Sequence, residues 1–341
     1  PMGTGAYACS YDGGGITLTR RPDAAGHASA EDVYIKEVKV VASEKGYCNI
    51  VDFNKGNVRV GIVENGVYYV DRTDVSFTEL YSPNYEFIAY NTASGVFAKK
   101  EMRQAVSYLI DRKAFFDESV LSVSLTEAFF PIIPGCWAYD EVRDPYEFTQ
   151  ESIGLARGLI SESGYVMWND VYGTNVGGAL RPLVIRIIVN KGSKLRYNRA
   201  EDIMGQLGGL GLTCVIDYLD WDAYLTRARS GDYDIAMAGV SLPKDPDVAF
   251  MFSSDPAFAD TNIASYHNPE VDALLAEMST DPSLRRANLA LIRDIAYEDV
   301  PYLGVSFKRE YLALSSAVKG QIRTEPWDVI FGLSGVYIPI S

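Results

Sequence analysis

Histidine is almost missing from this chain: there are two in 341 residues, His27 and His267, far apart and in no metal-ligand spacing. There is no HExxH pair, no GxSxG elbow and no GxGxxG fingerprint, so the usual sequence signs of a metal, nucleophile or dinucleotide site are lacking. Both histidines read as solvated loop residues. Basic residues are in deficit, 31 Lys and Arg against 45 Asp and Glu, for a net charge of −14. Phosphate neutralisation needs the opposite balance, which argues against nucleic acid as a partner. No apolar run is long enough to span a membrane, and no charged-apolar-small signal segment opens the chain. Cysteine is sparse, with Cys9, Cys48, Cys136 and Cys214 in no CxxC spacing. Cys214, in the strand-like LTCVIDY, reads as a buried free thiol. A disulfide among the other three stays open, so cysteine does not fix the compartment.

What is present describes an ordinary globular chain, 48% hydrophobic and 22% charged, with a length that suggests two domains. Its organising stretch is Tyr85–Arg112, YEFIAYNTASGVFAKKEMRQAVSYLIDR. Phe87, Ile88 and Tyr90 favour a strand. The run Asn91–Gly95 breaks it, and Met102, Ala105, Val106, Leu109 and Ile110 then mark one face of a helix.

Before that stretch, Gly3–Arg21 reads as two strands joined by a turn at Asp12–Gly15. Neither a Lys-Ser/Thr pair nor a helix follows, so the glycines there do not form a phosphate loop. Strands are expected over Val33–Val41, over GNVRVGIV and over Asn65–Arg72, with a short helix in Ser43–Asn54 and a loop leading to Pro83. After it, Leu125–Asp140 is an apolar loop that Pro131 and Pro134 keep from being helical. Helices follow at Ile153–Tyr165, Ala200–Leu210, Trp221–Ser230 and Leu284–Asp299. Strands are expected at Leu183–Asn190, Thr213–Leu219 and through GDYDIAMAGV, with a strand pair over Tyr302–Leu314. Strand-helix-strand-helix-strand with short connections implies parallel crossovers and an α/β unit.

Several of these strings, taken in order, resemble one family. GTGAYACSYDGGGITLTR, the strand ending in "YN" followed by RQAVSYLIDR, the proline loop, IGLARGLISESGY, DPDVAF and NIASYHNPEVD are similar to motifs of the family 5 extracellular solute-binding proteins. These are the oligopeptide- and dipeptide-binding components of bacterial ABC importers. The resemblance implies an α/β periplasmic-binding-protein-like fold (class II, cluster C), bilobal, with part of the first lobe and the small inserted domain missing. The abrupt start PMGTGAY then reads as a truncation. Residues 1–88 with 311–341 would build part of the first lobe and 89–310 the second, with Tyr90 and Asn91 at the hinge and Trp327 on the last return crossing. Arg59 stands where the family usually carries Asp.

Candidate binding residues come from position as much as from type. The loop Ser241–Phe252 follows the carboxyl end of a parallel strand, where ligands of open α/β sheets sit. Asp245, Asp247 and Phe250 match a family string, "W-x-x-D-x-x-D-P-D-x-F". The Asp that in the family grips a peptide amine falls at Leu242. Either Asp245 or Asp247 takes over a charge-assisted bond to an amine, or the ligand carries none. The alternative is that both aspartates cap the helix that follows. Asn262, Tyr266 and Trp137 are further candidates by resemblance, and for Trp137 packing over the core is an equal reading. The other aspartate groups, Asp217 with Asp220 and Asp222, and Asp232 with Asp234, do not supply the opposed pair of a glycosidase, and Asp220 or Asp222 suits a helix cap.

The expected function is non-enzymatic: capture of a peptide outside the cytoplasmic membrane by a monomer without cofactor, for an ABC permease. A lipid anchor would precede residue 1. A non-peptide solute (sugar, opine or metal chelate) or a sensing role on the same fold are the alternatives.

Overall fold

The computed structural model describes residues 6–11, 15–21, 34–41, 48, 50–63, 73–116, 125–320, 322 and 335–339. The strand expected over Asn65–Arg72, most of the turn at Asp12–Gly15, His27 and Trp327 lie outside them. Along the chain run β1 (Tyr7–Tyr11), β2 (Ile16–Arg20), β3 (Glu37–Val40), α1 (Ile50–Asn54), β4 (Val60–Val63) and β5 (Val75–Tyr90). Next come α2 (Lys100–Leu109), β6 (Leu125–Glu127), α3 (Gln150–Glu162), β7 (Val166–Trp168), β8 (Val171–Val176) and β9 (Ala179–Pro182). Then follow β10 (Val184–Asn190), α4 (Lys194–Gly209), β11 (Thr213–Leu219), α5 (Trp221–Ser230) and β12 (Ile235–Ser241). Last are α6 (Ala249–Phe252), α7 (Pro269–Thr280), α8 (Arg285–Asp299) and β13 (Tyr302–Ser315).

The chain forms two units, residues 1–83 with 118–125 and 308–341, and residues 84–117 with 126–307. The first contains the antiparallel sheet β1-β2-β3, in which Tyr7 faces Arg20 and Ile16 faces Val40. It also contains the pairing of β4 with the end of β13, Val63 opposite Tyr311, over a small core of Phe53, Val63 and Ala313.

The second unit is the α/β one. β10 lies parallel to both β11 and β12, and β12 is antiparallel to β5, with Gly239 opposite Glu86. The strand order β11-β10-β12-β5-β13 places β10 between its two successors, as successive crossover helices require. Ile185, Ile187, Ile188 and Val189 of β10 are fully buried, the signature of a strand covered on both faces. One side packs with Met102, Val106 and Leu109 of α2 and Ile203 and Leu207 of α4. Local chemistry sets the helix ends. Thr149 and Ser152 form a reciprocal capping box on α3, Asn268 accepts from two amides at the start of α7, and Gly231 closes α5 with a left-handed φ of 68°.

The structure corrects or completes the expectations at five points. Tyr302–Leu314 is one strand, not a pair, and the loop before Pro83 is part of the 16-residue β5. Residues 166–182 form a small antiparallel sheet, β7-β8-β9, turning on Asn169 and Asp170 at positive φ. Asp220 occupies the N-cap of α5 without a side-chain cap bond and pairs with Lys191 at 2.8 Å instead. No disulfide forms among the four cysteines, all of which are described. Burial pushes the Cys214 thiol up to about 12, as expected of an inert interior cysteine.

Candidate solute-binding surface

Three parallel strands, β10, β11 and β12, end on one edge of the second unit, and the amino ends of α4 and α5 begin there. An open α/β sheet offers its ligand surface along this edge. Trp221, the first residue of α5, is 51% exposed and stacks on Tyr224 with ring centroids 5.9 Å apart. The Tyr224 hydroxyl donates to the Met237 carbonyl, which fixes the ring under the indole. A flat apolar face is therefore held rigidly at the strand ends.

Beside it, Arg196 in the first turn of α4 donates to Glu86 of β5 through both Nε (2.8 Å) and Nη2 (2.9 Å). Burial works against the Arg196 charge, but the Glu86 bonds and charge outweigh it and raise its pKa. The pair occupies the space next to Gly239, where a Cβ would lie 2.3 Å from Arg196 Nη2 and 2.6 Å from Glu86 Oε1. One turn on, Arg199 is only 3% exposed, donates Nη2 to Ser306 Oγ at 3.0 Å and lies over the Phe115 ring at 5.7 Å. Its Nε is buried without a partner. Burial drives the Arg199 pKa down to about 10, with the Glu86 charge opposing.

Of the residues expected at the site, the structure brings Trp137 and Asp245 together through Arg285. Arg285 Nη1 donates to Asp245 at 2.8 Å, Nη2 donates to the Pro246 carbonyl at 2.8 Å, and the guanidinium lies 5.4 Å from the Trp137 ring centroid. Asp245 remains 66% exposed at its side chain and Trp137 is 46% exposed. The Trp137 loop is tied to α8 as well, by Arg286 donating to the Trp137 carbonyl and by Arg286 and Arg293 on Asp140. Asp247 accepts the Ala249 amide at 2.8 Å and so braces the start of α6, while Phe250 is half-buried. Asp245, Asp247 and Arg285 line a groove of about 810 Å³ floored by Phe258, Leu275 and Met278.

Asn262 and Tyr266 sit elsewhere in role. Asn262 is buried and donates to the carbonyls of Ser253 and Tyr266, while its oxygen accepts from the Tyr266 amide and the Tyr302 hydroxyl. The Tyr266 hydroxyl donates to Asp299. Both are fully engaged within the chain and frame the 253–266 segment. Tyr90 and Asn91 are interior to the second unit, Tyr90 bonded to Ser107 and Asn91 to the Gly231 and Tyr233 carbonyls. The chain passes between units at 83–84, 117–118, 125–126 and 307–308.

Residues 1–260 match the family described as bacterial extracellular solute-binding proteins, family 5 Middle. The chain belongs to that family. It is 28% identical over 259 residues to heme-binding protein A of Haemophilus influenzae, covering 74% of this chain and 44% of that one. To the oligopeptide-binding protein AppA of Bacillus subtilis it is 25% identical over 247 residues, 70% of this chain and 44% of the relative. The structure of HbpA2 from Haemophilus parasuis superposes with a TM-score of 0.80 at 17% identity, over 99% of this chain and 64% of that one. The α/β periplasmic-binding-protein fold expected from the sequence is the fold observed. The chain spans under half the length of the curated relatives it matches. Family 5 solute-binding proteins are non-enzymatic binding components. No helix among the described residues is long and apolar enough to cross a membrane.

Proposed function

We propose that this family 5 chain belongs to an extracytoplasmic protein that captures oligopeptides or dipeptides and hands them to an ABC permease. The observation that carries the reading is the Trp137–Arg285–Asp245 cluster. An arginine holds a mostly exposed carboxylate beside an exposed indole, so that an α-amino group and an adjacent apolar side chain could be met together. Asp245 keeps acceptor positions beyond the one Arg285 uses. We assign Asp245 as the amine contact, Trp137 as the apolar one, and Asp247 and Phe250 as the supporting wall. The two units serve as the two lobes, with the passages at residues 83–84 and 307–308 as the hinge.

A specific observation favours a second reading. Leu242, where peptide-binding members carry an amine-gripping Asp, is an apolar residue buried to 4% exposure, and one relative is a heme-binding protein. A metal chelate or other solute without an amine would suit that edge. Native mass spectrometry of the full-length mature protein, against the same sample denatured, separates the two. A ladder of masses matching short peptides, reduced by Asp245→Ala, supports peptide capture. A single non-peptide mass supports the second reading, and an empty protein that also ignores a peptide library removes both.

A further inference from the structure

A second concave site lies at the other end of the second unit's sheet. Tyr90 pairs with Ile235 at the amino end of β12, and its amide donates to the Pro301 carbonyl. The last turn of α8 therefore lies away from the strand-end edge that carries Trp221 and Arg196, roughly 20 Å along the helix from Arg285. There α2, α3 and α8 enclose a groove of about 610 Å³, within the range of small-molecule sites. Tyr108 and the buried Tyr146 meet edge to face in its wall, with ring centroids 4.7 Å apart. Gly154 and Gly158 of α3 leave its floor bare, since a Cβ at either would meet nothing within 4 Å. Leu155 beside them is 54% exposed. Tyr297, another lining residue, has a hydroxyl shut from solvent without a hydrogen-bond partner, a polar atom that the fold leaves unsatisfied.

The charge of this groove is one-sided. Glu162, Asp294 and Glu298 line it, and among the described residues no Lys or Arg does. Lys100 takes one oxygen of Glu298 at 2.7 Å and Arg293 one oxygen of Asp294 at 2.9 Å, so each carboxylate keeps acceptor capacity. Lys99 and Arg103 donate instead to the Ser163 and Asp299 carbonyls. Glu162 forms no ion pair among the described residues. Three negative charges thus meet two positive ones. Burial and then the Glu298 charge push the Tyr108 hydroxyl up, which puts that carboxylate near the ring. No group of acidic, His or Cys side chains among the described residues is close enough to hold a metal ion. A carboxylate beside an aromatic face suits an organic cation, which is drawn to the charge of one and the quadrupole of the other.

We propose that this groove binds a small organic cation, a guanidinium or ammonium on a short apolar stem. Glu162 and Glu298 take its charge, Tyr108 meets the face of its head group, and Leu155 with the bare glycine floor receives the stem. The site is separate from the solute surface and does not depend on what that surface captures.

The test titrates the full-length protein calorimetrically with butylguanidinium and with its neutral isostere butylurea. The wild type should favour the cation by about tenfold or more, as expected of a charge-assisted bond. Glu162→Gln should lose most of that preference. Gly158→Leu fills the floor and should abolish binding of the cation. Its melting temperature should equal or exceed that of the wild type, because leucine is the better helix former and enters open space. Loss of binding in a variant that melts no lower cannot be put down to misfolding. Asp245→Ala, on the solute surface, should leave the titration unchanged. Equal binding of the two probes, no binding of the cation, or an unchanged affinity in Gly158→Leu overturns the site. Binding lost in Asp245→Ala and kept in Gly158→Leu would put the cation on the solute surface and overturns it as well.

Discussion

Arg196 and Glu86, 110 residues apart in sequence, close a two-bond ion pair directly against the main chain at Gly239. A side chain at 239 and the pair cannot occupy the same space. Gly239→Ala should therefore force the pair to shift or open, at a cost of about 1–3 kcal/mol typical of overpacking. Urea denaturation checks this. The cost should largely vanish in an Arg196→Ala background, a coupling that two independent sites would not show.

Asn262 makes four hydrogen bonds in a buried setting and none is directed outward. Asn262→Ala should lower stability by about 3 kcal/mol, since it strands two carbonyls, an amide and a hydroxyl. Solute affinity per folded molecule should stay within about twofold of wild type, because all four bonds are spent within the chain. A large affinity loss at unchanged stability would return Asn262 to the binding surface.

Arg112 is 4% exposed, pairs with Asp144, donates to the Gly304 carbonyl at 2.6 Å and lies over the Phe129 ring. Arg112→Met leaves the Asp144 carboxylate without its partner and should cost about 3–5 kcal/mol. Arg199→Met removes a buried cation with no such partner, so its stability should be equal to wild type or greater. Parallel thermal melts of the two variants expose the contrast.

Asp140 predicts the form of an acid limb. Hydrogen bonds from Arg286, then Arg293, hold its carboxyl below the unfolded value of 3.8. A depressed carboxylate contributes stability that is fully present above the unfolded value and is lost as pH falls through the folded one. Between pH 5 and 3, Asp140→Asn should flatten the decline in stability that the wild type shows. An unchanged slope would mean the two arginines do not hold the carboxylate in solution.

Much of the second unit could be read in advance. Thr213–Leu219 and Trp221–Ser230 fall where expected because their signals are local: β-branched residues in the strand, then a helix ended by Gly231. Pro83 misled because proline normally ends a strand. Pairing of β5 with β12 begins one residue later, at Asn84, so no amide is demanded of Pro83 on that side. The β7-β8-β9 sheet escaped notice because strands of three to six residues around GTNVGG show no usable alternation. The site was legible in type and not in partnership. Asp245 stood out from its place after a strand, but Arg285, which orients it, lies 40 residues further on. Glu86, Arg196 and Arg199 carried no motif at all, and only the sheet register brings Glu86 opposite Gly239.

The way the chain is divided between its units also implies an order of folding. The second unit draws on residues 84–117 and 126–307, whereas the first needs residues both before 84 and after 307. The pairing of Val63 with Tyr311 closes a loop that contains the whole second unit. Such a loop is entropically expensive while open chain and inexpensive once its interior is already folded. The later unit in sequence should therefore be the earlier one to fold. β4 would wait with its pairing edge open until β13 is in place, and during that interval that edge would be the part most exposed to misassembly.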